Sequence, residues 1–193
     1  MIVAEGLRFP EAPVAMPDGS IVLGEIESGW ISRVTPDGTV QKVVETGGGP
    51  NGLAVGPDSA LYCCNNGGLS HRLDRAARLI PHNAPADWQG GSIQRVDLSS
   101  GSVETLYTAA AGVGLRGPND IVFDAHGGFW FTDRGKSFAR ARDCTGVFYA
   151  LADGSGIDEV FSRWRTPTAL ASLPMGTHCW SPRPILACSG HSM

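Results

Sequence analysis

The sequence predicts an all-β fold, and its composition, its turns and its internal repeat each indicate this class. The 193 residues include 26 Gly and 13 Pro, a composition that favours many short strands and turns over long helices. Pro-Asp-Gly turns at residues 17–19 and 36–38 separate short apolar runs, as hairpin turns do. The runs come in groups of four at a spacing of roughly 40 to 50 residues, which is typical of the blades of a β-propeller.

The repeat carries a polar residue at a fixed position. Glu11, Asn51 and Asn119 align without gaps when the chain is shifted by 40 and then by 68 positions. Each has an oxygen-bearing side chain and comes just before a short apolar strand. The second strand of each repeat closes with another such residue, namely Glu25, Asn65 or Asp133. The repeat therefore indicates the fold, and its polar position indicates where function lies.

About three complete four-stranded blades are predicted, at roughly residues 9–45, 49–108 and 117–161. In chain order, the strand-like runs that follow each polar position are residues 21–26, 30–34 and 39–44, then 60–65, 92–97 and 103–107, then 129–133, 146–150 and 157–161. An insertion at 67–90 interrupts the second blade. We interpret it as a solvated excursion, with a functional lid as the alternative. Propellers close with about 4 to 8 blades, so three blades would leave two sheet edges unpaired.

Residues 162–193 are predicted to form an irregular tail, because they lack both strand alternation and correctly placed turns. We interpret this tail as the out-of-frame remnant of a fourth blade. Read with a shifted frame, residues 166–176 can encode Asp-Pro-Asn-Gly-Ile-Gly-Leu-Ser-Ala-Asp-Gly. The Asn would come mostly from the codon of Thr168, and the Asp-Gly turn would follow at the interval seen in the first two blades. An irregular C-terminal arm is the alternative interpretation.

The bulk composition excludes several classes of partner. A net charge of -4 gives no electrostatic basis for binding nucleic acid or an anionic membrane. The start of the chain lacks a secretion signal, and no run of about 18 apolar residues occurs, so we expect a soluble, cytoplasmic protein. The five cysteines show no zinc-site spacing and are interpreted as reduced thiols. Cys63 and Cys64 should point to opposite faces of one strand.

The polar repeat position suggests a metal site. First strands of propeller blades line the central axis, so Glu11, Asn51 and Asn119 should converge at one mouth of the channel. A carboxylate with amide oxygens is a hard ligand set that favours Ca²⁺ over a transition metal. The alternative is that the Asn residues are simple turn formers, which explains Glu11 poorly. A Ser-His-Asp hydrolase is disfavoured, since no Gly-x-Ser-x-Gly motif occurs.

Four segments resemble the gluconolactonase and regucalcin (senescence marker protein) family. They are Glu-Gly-Leu-Arg-Phe-Pro-Glu-Ala-Pro at residues 5–13, Gly-Pro-Asn-Gly at 49–52, Leu-Arg-Gly-Pro-Asn-Asp at 115–120, and Gly-Gly-Phe-Trp-Phe-Thr-Asp at 127–133. The likeness covers roughly residues 3–161. It implies a six-bladed β-propeller, a divalent cation at the axis, usually calcium, and hydrolysis of sugar lactones or related esters.

The resemblance also implies roles for single residues. Glu11 matches the first metal-binding carboxylate of the family, and Asn119 matches an axial Asn that binds metal or substrate. Asn51 is a further candidate ligand. Arg116 matches a substrate-facing Arg of some members, which would hold lactone oxygens by charge-assisted hydrogen bonds, and an ordinary surface Arg is the alternative. The next axial Asn of the family falls on Thr168, and its catalytic base, an Asp, lies beyond the end of this chain. The catalytic residue is therefore unknown, and slow or undetectable hydrolysis is expected.

Two functions follow as expectations. The first is a calcium-dependent hydrolase that takes a small-molecule lactone and binds neither nucleic acid nor membrane. The second is an inactive, truncated propeller fragment that acts at most as a binding or scaffold module, with self-association through its open sheet edges.

Overall fold

The computed structural model describes residues 3–164, 169–172, 178–181 and 187–189, and within them the regular elements are β-strands. No helix of this described part is long and apolar enough to cross a membrane. The strands form antiparallel sheets, and three of these sheets have four strands each. This confirms the predicted all-β class, with about three complete four-stranded blades of a β-propeller.

The first blade consists of β1 (Pro10–Ala15), β2 (Ile21–Glu25), β3 (Trp30–Val34) and β4 (Val40–Glu45), paired in that order. Its hairpin turns use the predicted Pro-Asp-Gly motifs. Gly19 and Gly38 have φ angles of 81° and 86°, a left-handed conformation that glycine adopts without steric cost. Asp18 accepts a hydrogen bond from the Ser20 backbone N–H at 2.9 Å, so the side chain supports the turn as Asx residues do.

The second blade consists of β5 (Pro50–Val55), β6 (Leu61–Asn65), β9 (Ser92–Val96) and β10 (Val103–Tyr107), again paired in chain order. The insertion between β6 and β9 has structure of its own, because β7 (His71–Leu73) and β8 (Leu79–Pro81) form a hairpin. A second small hairpin, β11 (Ala109–Ala110) with β12 (Val113–Gly114), follows the blade. Neither hairpin shows the alternation of a long strand, so the sequence pattern did not indicate them.

The third blade consists of β13 (Pro118–Phe123), β14 (Gly128–Asp133), β15 (Thr145–Leu151) and β16 (Ile157–Trp164). After it, β17 (Ala169–Ser172), β18 (His178–Ser181) and β19 (Ala187–Ser189) form a three-stranded sheet, with β17 beside β13. These strands lie where we expected an irregular tail. Strand pairing uses backbone N–H and C=O groups that every residue except proline has, so it needs no side-chain alternation. For the same reason it carries no information about reading frame, and the frame-shift hypothesis stays a prediction.

Apolar side chains between neighbouring blades form two clusters. Val22 and Ile31 of the first blade pack with Leu53 and Cys63 of the second, whereas Cys64 belongs to a separate cluster between the second and third blades. The adjacent cysteines therefore face opposite sides of β6, as period-two alternation predicts. Each fully buried apolar side chain contributes about 1.5 to 3 kcal/mol, so these two interfaces fix the blades side by side.

The first strands of the blades lie together, with β5 next to both β1 and β13. The approach is close at Gly52, where an added Cβ would lie 2.5 Å from the Asn119 carbonyl oxygen and 2.7 Å from the Asp120 Cα. A glycine is thus required at this position for β5 and β13 to meet. The three polar repeat positions lie at the start of these strands, so their convergence follows from the blade packing.

Candidate metal and substrate cleft

A β-bulge lies at the polar position of every blade. The pairing of each first strand with its second strand shifts register, between Glu11 and Val14 in β1, between Pro50 and Leu53 in β5, and between Pro118 and Ile121 in β13. Bulges leave an extra residue unpaired and redirect its side chain, and they are frequent beside functional sites. Three independent blades thus use the same local distortion at the same position.

The structure brings Glu11, Asn51 and Asn119 together. All three line a hollow of about 110 Å³ and also a second hollow of about 170 Å³. Asn51 Nδ2 donates a hydrogen bond to Asn119 Oδ1 at 3.1 Å, although the two residues belong to different blades. We call the two hollows together the axial cleft. The convergence that the repeat predicts is therefore present, and whether these residues bind a cation stays a prediction.

Glu11 provides the negative charge of this group. The side chain is accessible at the mouth of the cleft, but surrounding protein partly desolvates it, and this raises the pKa of its carboxyl. Arg134 lowers that pKa and Asp120 raises it, both by weaker charge interactions. Among the described residues, no Lys, Arg or His lies within salt-bridge distance of Glu11. A partly desolvated carboxylate of this kind is stabilised by a bound cation.

The oxygen atoms of the cleft are of the type that a hard cation binds. The cleft offers the Glu11 carboxylate and the amides of Asn51 and Asn119, and Asp120 lines the second of its two hollows. Ca²⁺ accepts such oxygens together with backbone carbonyls and water, at a total of about 6 to 8 ligands. No cluster of three or more His, Cys, Asp or Glu side chains occurs in the described part of the chain. The residues present would therefore supply part of a calcium ligand set.

Two basic residues that sequence reasoning missed line the same cleft. Arg134 and Lys136 follow β14 directly, in the loop after Asp133. Lys136 is only 2% exposed, and its Nζ donates to Asn66 Oδ1 at 3.1 Å and to the Gly68 carbonyl oxygen. Burial lowers the pKa of its amine to about 7, Asp133 opposes that change, and Arg134 adds to it. The sequence did contain one indication of this. The loop after Asp133 follows the second strand of a blade, which ends beside the start of the first strand, where the polar repeat residues lie.

Arg116 does not line the axial cleft. Its Nε donates to Asp143 Oδ2 at 2.9 Å, and its guanidinium lies over the ring of Trp88, 4.4 Å from the centroid. Phe138 lies on the same group, with its centroid 5.9 Å away. The guanidinium therefore has a carboxylate at its edge and two aromatic rings packed near it. The implied role of Arg116 in substrate binding stays a prediction, and the observed contacts give it a structural one.

The residues that close the second strands act as braces. Asp133, which is 1% exposed, accepts hydrogen bonds from the backbone N–H groups of Arg116, Gly117 and Gly135 at 2.7 to 2.8 Å. Burial raises the pKa of the Asp133 carboxyl, and these hydrogen bonds oppose the change. In the same manner Asn65 accepts from Gly49 and Gly67, and Glu25 accepts from the backbone N–H of Arg8. Each brace holds the segment that enters the bulged first strand.

The insertion also contributes to the site. Leu69 and Pro81 line the axial cleft, and Trp88 packs against Phe138 with ring centroids 5.8 Å apart. Trp88 Nε1 further donates to the Asn66 carbonyl oxygen at 3.3 Å. The insertion therefore forms one wall of the cleft, which differs from the solvated excursion favoured by the sequence.

Solved structures share this fold. A gluconolactonase from Xanthomonas campestris is 21% identical, with a TM-score of 0.71 over 96% of this chain and 59% of its own. The crystal structure of a nidogen/laminin complex matches with a TM-score of 0.63 at 16% identity, over 90% of this chain and 56% of that one. A PQQ-bound aldose sugar dehydrogenase from Streptomyces coelicolor matches with a TM-score of 0.62 at 16% identity, over 92% and 57%. Proteins with such different names share the architecture alone.

This chain spans less than two thirds of each of these three structures. Comparison with curated proteins gave no significant match. The model of one protein family, described as the SMP-30/gluconolactonase/LRE-like region, matches residues 9–180. This match includes all three blades and the residues of the axial cleft. The chain therefore belongs to the SMP-30/gluconolactonase/LRE-like family.

Proposed function

We propose that this protein hydrolyses sugar lactones or related esters at the axial cleft, with the help of a divalent cation, for which Ca²⁺ is the best match. One observation carries the proposal. Glu11, Asn51 and Asn119 come from three blades to one cleft, and two of them are hydrogen-bonded there. Their oxygens suit a hard cation, and the family includes gluconolactonases by its description.

Different residues of the cleft would have different roles in this reaction. Glu11 and the two amides would hold the cation, which when bound would polarise a carbonyl oxygen and acidify a nearby water. Leu69 and Pro81 give the cleft an apolar wall, which would exclude water from one side of a sugar ring. Cys63 and Cys64 are buried, unpaired thiols, and such thiols are usual in a reducing compartment. We therefore propose the cytoplasm as the place of action.

An assay of lactone hydrolysis tests the proposal. The 193-residue protein would be given D-glucono-lactone in a pH-indicator assay, with correction for spontaneous hydrolysis, in a chelator and then with Ca²⁺, Mg²⁺ or Zn²⁺. We expect cation-dependent turnover that is lost in Glu11→Gln and kept in Glu45→Gln, since Glu45 is an exposed carboxylate on β4. Turnover that ignores both the chelator and the Glu11 variant would overturn the proposed cation site.

A second candidate is a non-catalytic binding or scaffold module. The observation that favours it is length, because the chain spans only 56% to 59% of the three solved structures reported above. If this candidate is correct, the 193-residue protein should show no turnover with any cation, whereas a longer form that carries further blades should show turnover. The 193-residue protein should also self-associate through its open sheet edges. Sedimentation of the 193-residue protein beside the longer form separates the two candidates.

A further inference from the structure

Lys136 is a buried amine without an acidic partner. Its side chain lines the axial cleft together with Glu11 and Asn119, yet the residue is 2% exposed. Among the described residues, no carboxylate lies within salt-bridge distance of its Nζ. The contacts of Nζ are instead two neutral oxygens, Asn66 Oδ1 and the Gly68 carbonyl.

The number of these acceptors matches a neutral amine. A lysine ammonium has three N–H donors, whereas the neutral amine has two donors and one lone pair. Asn66 and Gly68 accept two hydrogen bonds from Nζ, so the neutral amine uses both of its donors and keeps its lone pair. Lys136 lines the axial cleft, where that lone pair could accept a proton.

The charges around Lys136 do not restore the usual pKa of its amine. Asp133 at the end of β14 favours the charged form, and Arg134 in the same loop disfavours it. Asp143 accepts the Lys136 backbone N–H at 3.1 Å, but its carboxylate is already paired with Arg116. Burial has the largest effect, so the pKa of the amine falls to about 7. A base poised near the working pH is the most effective proton acceptor.

We propose that the Lys136 amine accepts the proton of the water that attacks the lactone carbonyl in the axial cleft, an inference that rests on the proposed function. The water oxygen bonds to the carbonyl carbon while its proton moves to Nζ. When the tetrahedral adduct collapses, the ring C–O bond breaks and the ammonium returns the proton to the leaving alkoxide. One lactone and one water give one hydroxy acid, no electron is transferred to or from the protein, and the amine is regenerated.

This assignment places a base within the chain. The family resemblance assigned no proton acceptor to the three blades. Lys136 lies on the third blade, at the same mouth as Asn51 and Asn119. We therefore expect the 193-residue protein to have an intrinsic, pH-dependent activity.

The protonation state can be measured without any substrate, because the chain contains two lysines, Lys42 and Lys136. Lys42 is exposed and lies over the Trp30 ring, so it serves as an internal control. In protein labelled with 15N and 13C at lysine, the Nζ and Cε shifts of Lys136 should titrate near pH 7, and the Lys42→Met variant assigns these signals to Lys136. Titration of the Lys136 amine near the usual lysine value of about 10.4 would overturn the proposal.

Kinetics test the catalytic role. Lys136→Met removes the amine at similar length, and Lys136→Arg keeps the charge but cannot release its proton. Both should lower kcat for glucono-lactone by about 10²-fold or more, remove the acidic limb near pH 7, and leave KM nearly unchanged, while Lys42→Met behaves like the wild type. Circular dichroism would test whether the variants are folded.

The outcomes separate the two proposals. Wild-type turnover with an unchanged rate and pH profile in Lys136→Met would overturn only the role of Lys136. No lactone turnover by the wild type with any cation, beside a Lys136 amine that titrates near pH 7, would overturn the proposed function and with it the proton transfer in that reaction. If the variants do not fold, the titration of the wild-type amine still decides whether a neutral base exists.

Discussion

Asn51 Nδ2 donates a hydrogen bond to Asn119 Oδ1 at 3.1 Å, and the two residues are 68 positions apart in the chain. They hold the same position in consecutive blades, so the hydrogen bond joins one repeat to the next at the axis. Glu11, the equivalent residue of the first blade, lines the same cleft. Because the three positions meet, a change that moves the first strand of any one blade should displace a polar side chain of the cleft.

Removing the charge of Glu11 should have opposite effects on stability and on cation binding. Partial desolvation raises the pKa of its carboxyl, so the folded protein holds this charge at a disadvantage and its stability falls as pH rises through that raised pKa. In a chelator, Glu11→Gln should increase the free energy of unfolding by less than about 1 kcal/mol. It should weaken calcium binding by at least about 10-fold. Urea unfolding and calorimetric titration measure the two effects, with Glu45→Gln as the control.

Gly52→Ala should separate β5 from β13. The new Cβ would lie 2.5 Å from the Asn119 carbonyl oxygen and 2.7 Å from the Asp120 Cα, and both are backbone atoms that cannot turn aside. Overpacking of this kind costs about 1 to 3 kcal/mol, so the midpoint of thermal unfolding should fall by several degrees. Gly114→Ala is the matched control, because its Cβ would meet only the Thr108 carbonyl oxygen at 3.9 Å. Equal midpoints for both variants would contradict the close approach.

Ser59→Gly should stabilise the second blade. Ser59 has a φ of 64°, and the equivalent turn positions of the other blades are Gly19 and Gly127, with φ of 81° and 86°. A side chain in the left-handed region costs about 1 to 2 kcal/mol relative to glycine, while the flexibility of glycine in the unfolded chain offsets part of the gain. We expect a net increase of roughly 0.5 to 1 kcal/mol in urea unfolding. Gly19→Ser, the reverse change in the first blade, should destabilise by a similar amount.

Replacing Asp133, the brace of the third blade, should destabilise the protein less with Asn than with Ala. Asp133→Ala leaves the backbone N–H groups of Arg116, Gly117 and Gly135 without their acceptor, at a cost of about 1 to 3 kcal/mol for each buried group. Asp133→Asn keeps one carbonyl oxygen and reproduces Asn65, the brace of the second blade. Urea unfolding should therefore rank wild type above Asn, and Asn above Ala.

Asp133→Asn should also change the pKa of Lys136 and the pH dependence of stability. The Asp133 charge raises the pKa of Lys136, so Asp133→Asn should move the titration of that amine to lower pH. Because burial raises the pKa of Asp133 itself, its ionisation disfavours the folded state, and this part of the pH dependence of stability should disappear in the variant. Asp87→Ala, an exposed carboxylate in the insertion, should leave both properties unchanged.

The sequence predicted the blades well because turns and strands depend on residues that are close together in the chain. Asp-Gly turns and period-two alternation are set by neighbouring residues, and the gap-free repeat that aligns Glu11, Asn51 and Asn119 needs no knowledge of packing. The shared position then implied a shared place in the fold, and the three side chains do meet. The opposite faces of Cys63 and Cys64 followed from the same alternation.

The parts that sequence reasoning missed depend on distant contacts. Lys136 reaches the cleft because its Nζ bonds to Asn66, 70 positions earlier, and no local pattern encodes that meeting. Arg116 matched a family motif, but its partner Asp143 and the stacked Trp88 lie in loops without a readable pattern. The hairpin of the insertion was missed for the same reason, since its strands have three residues each.

The braces have a consequence for how such proteins change over evolutionary time. Asp133 binds Gly117 within the third blade, and Asn65 binds Gly49 within the second, so each blade fixes its own entry segment. A gene that duplicates, loses or exchanges one blade would carry over a complete unit, with its bulge and polar residue already oriented. The number of blades and the chemistry presented at the axis can therefore be inherited separately, one blade at a time.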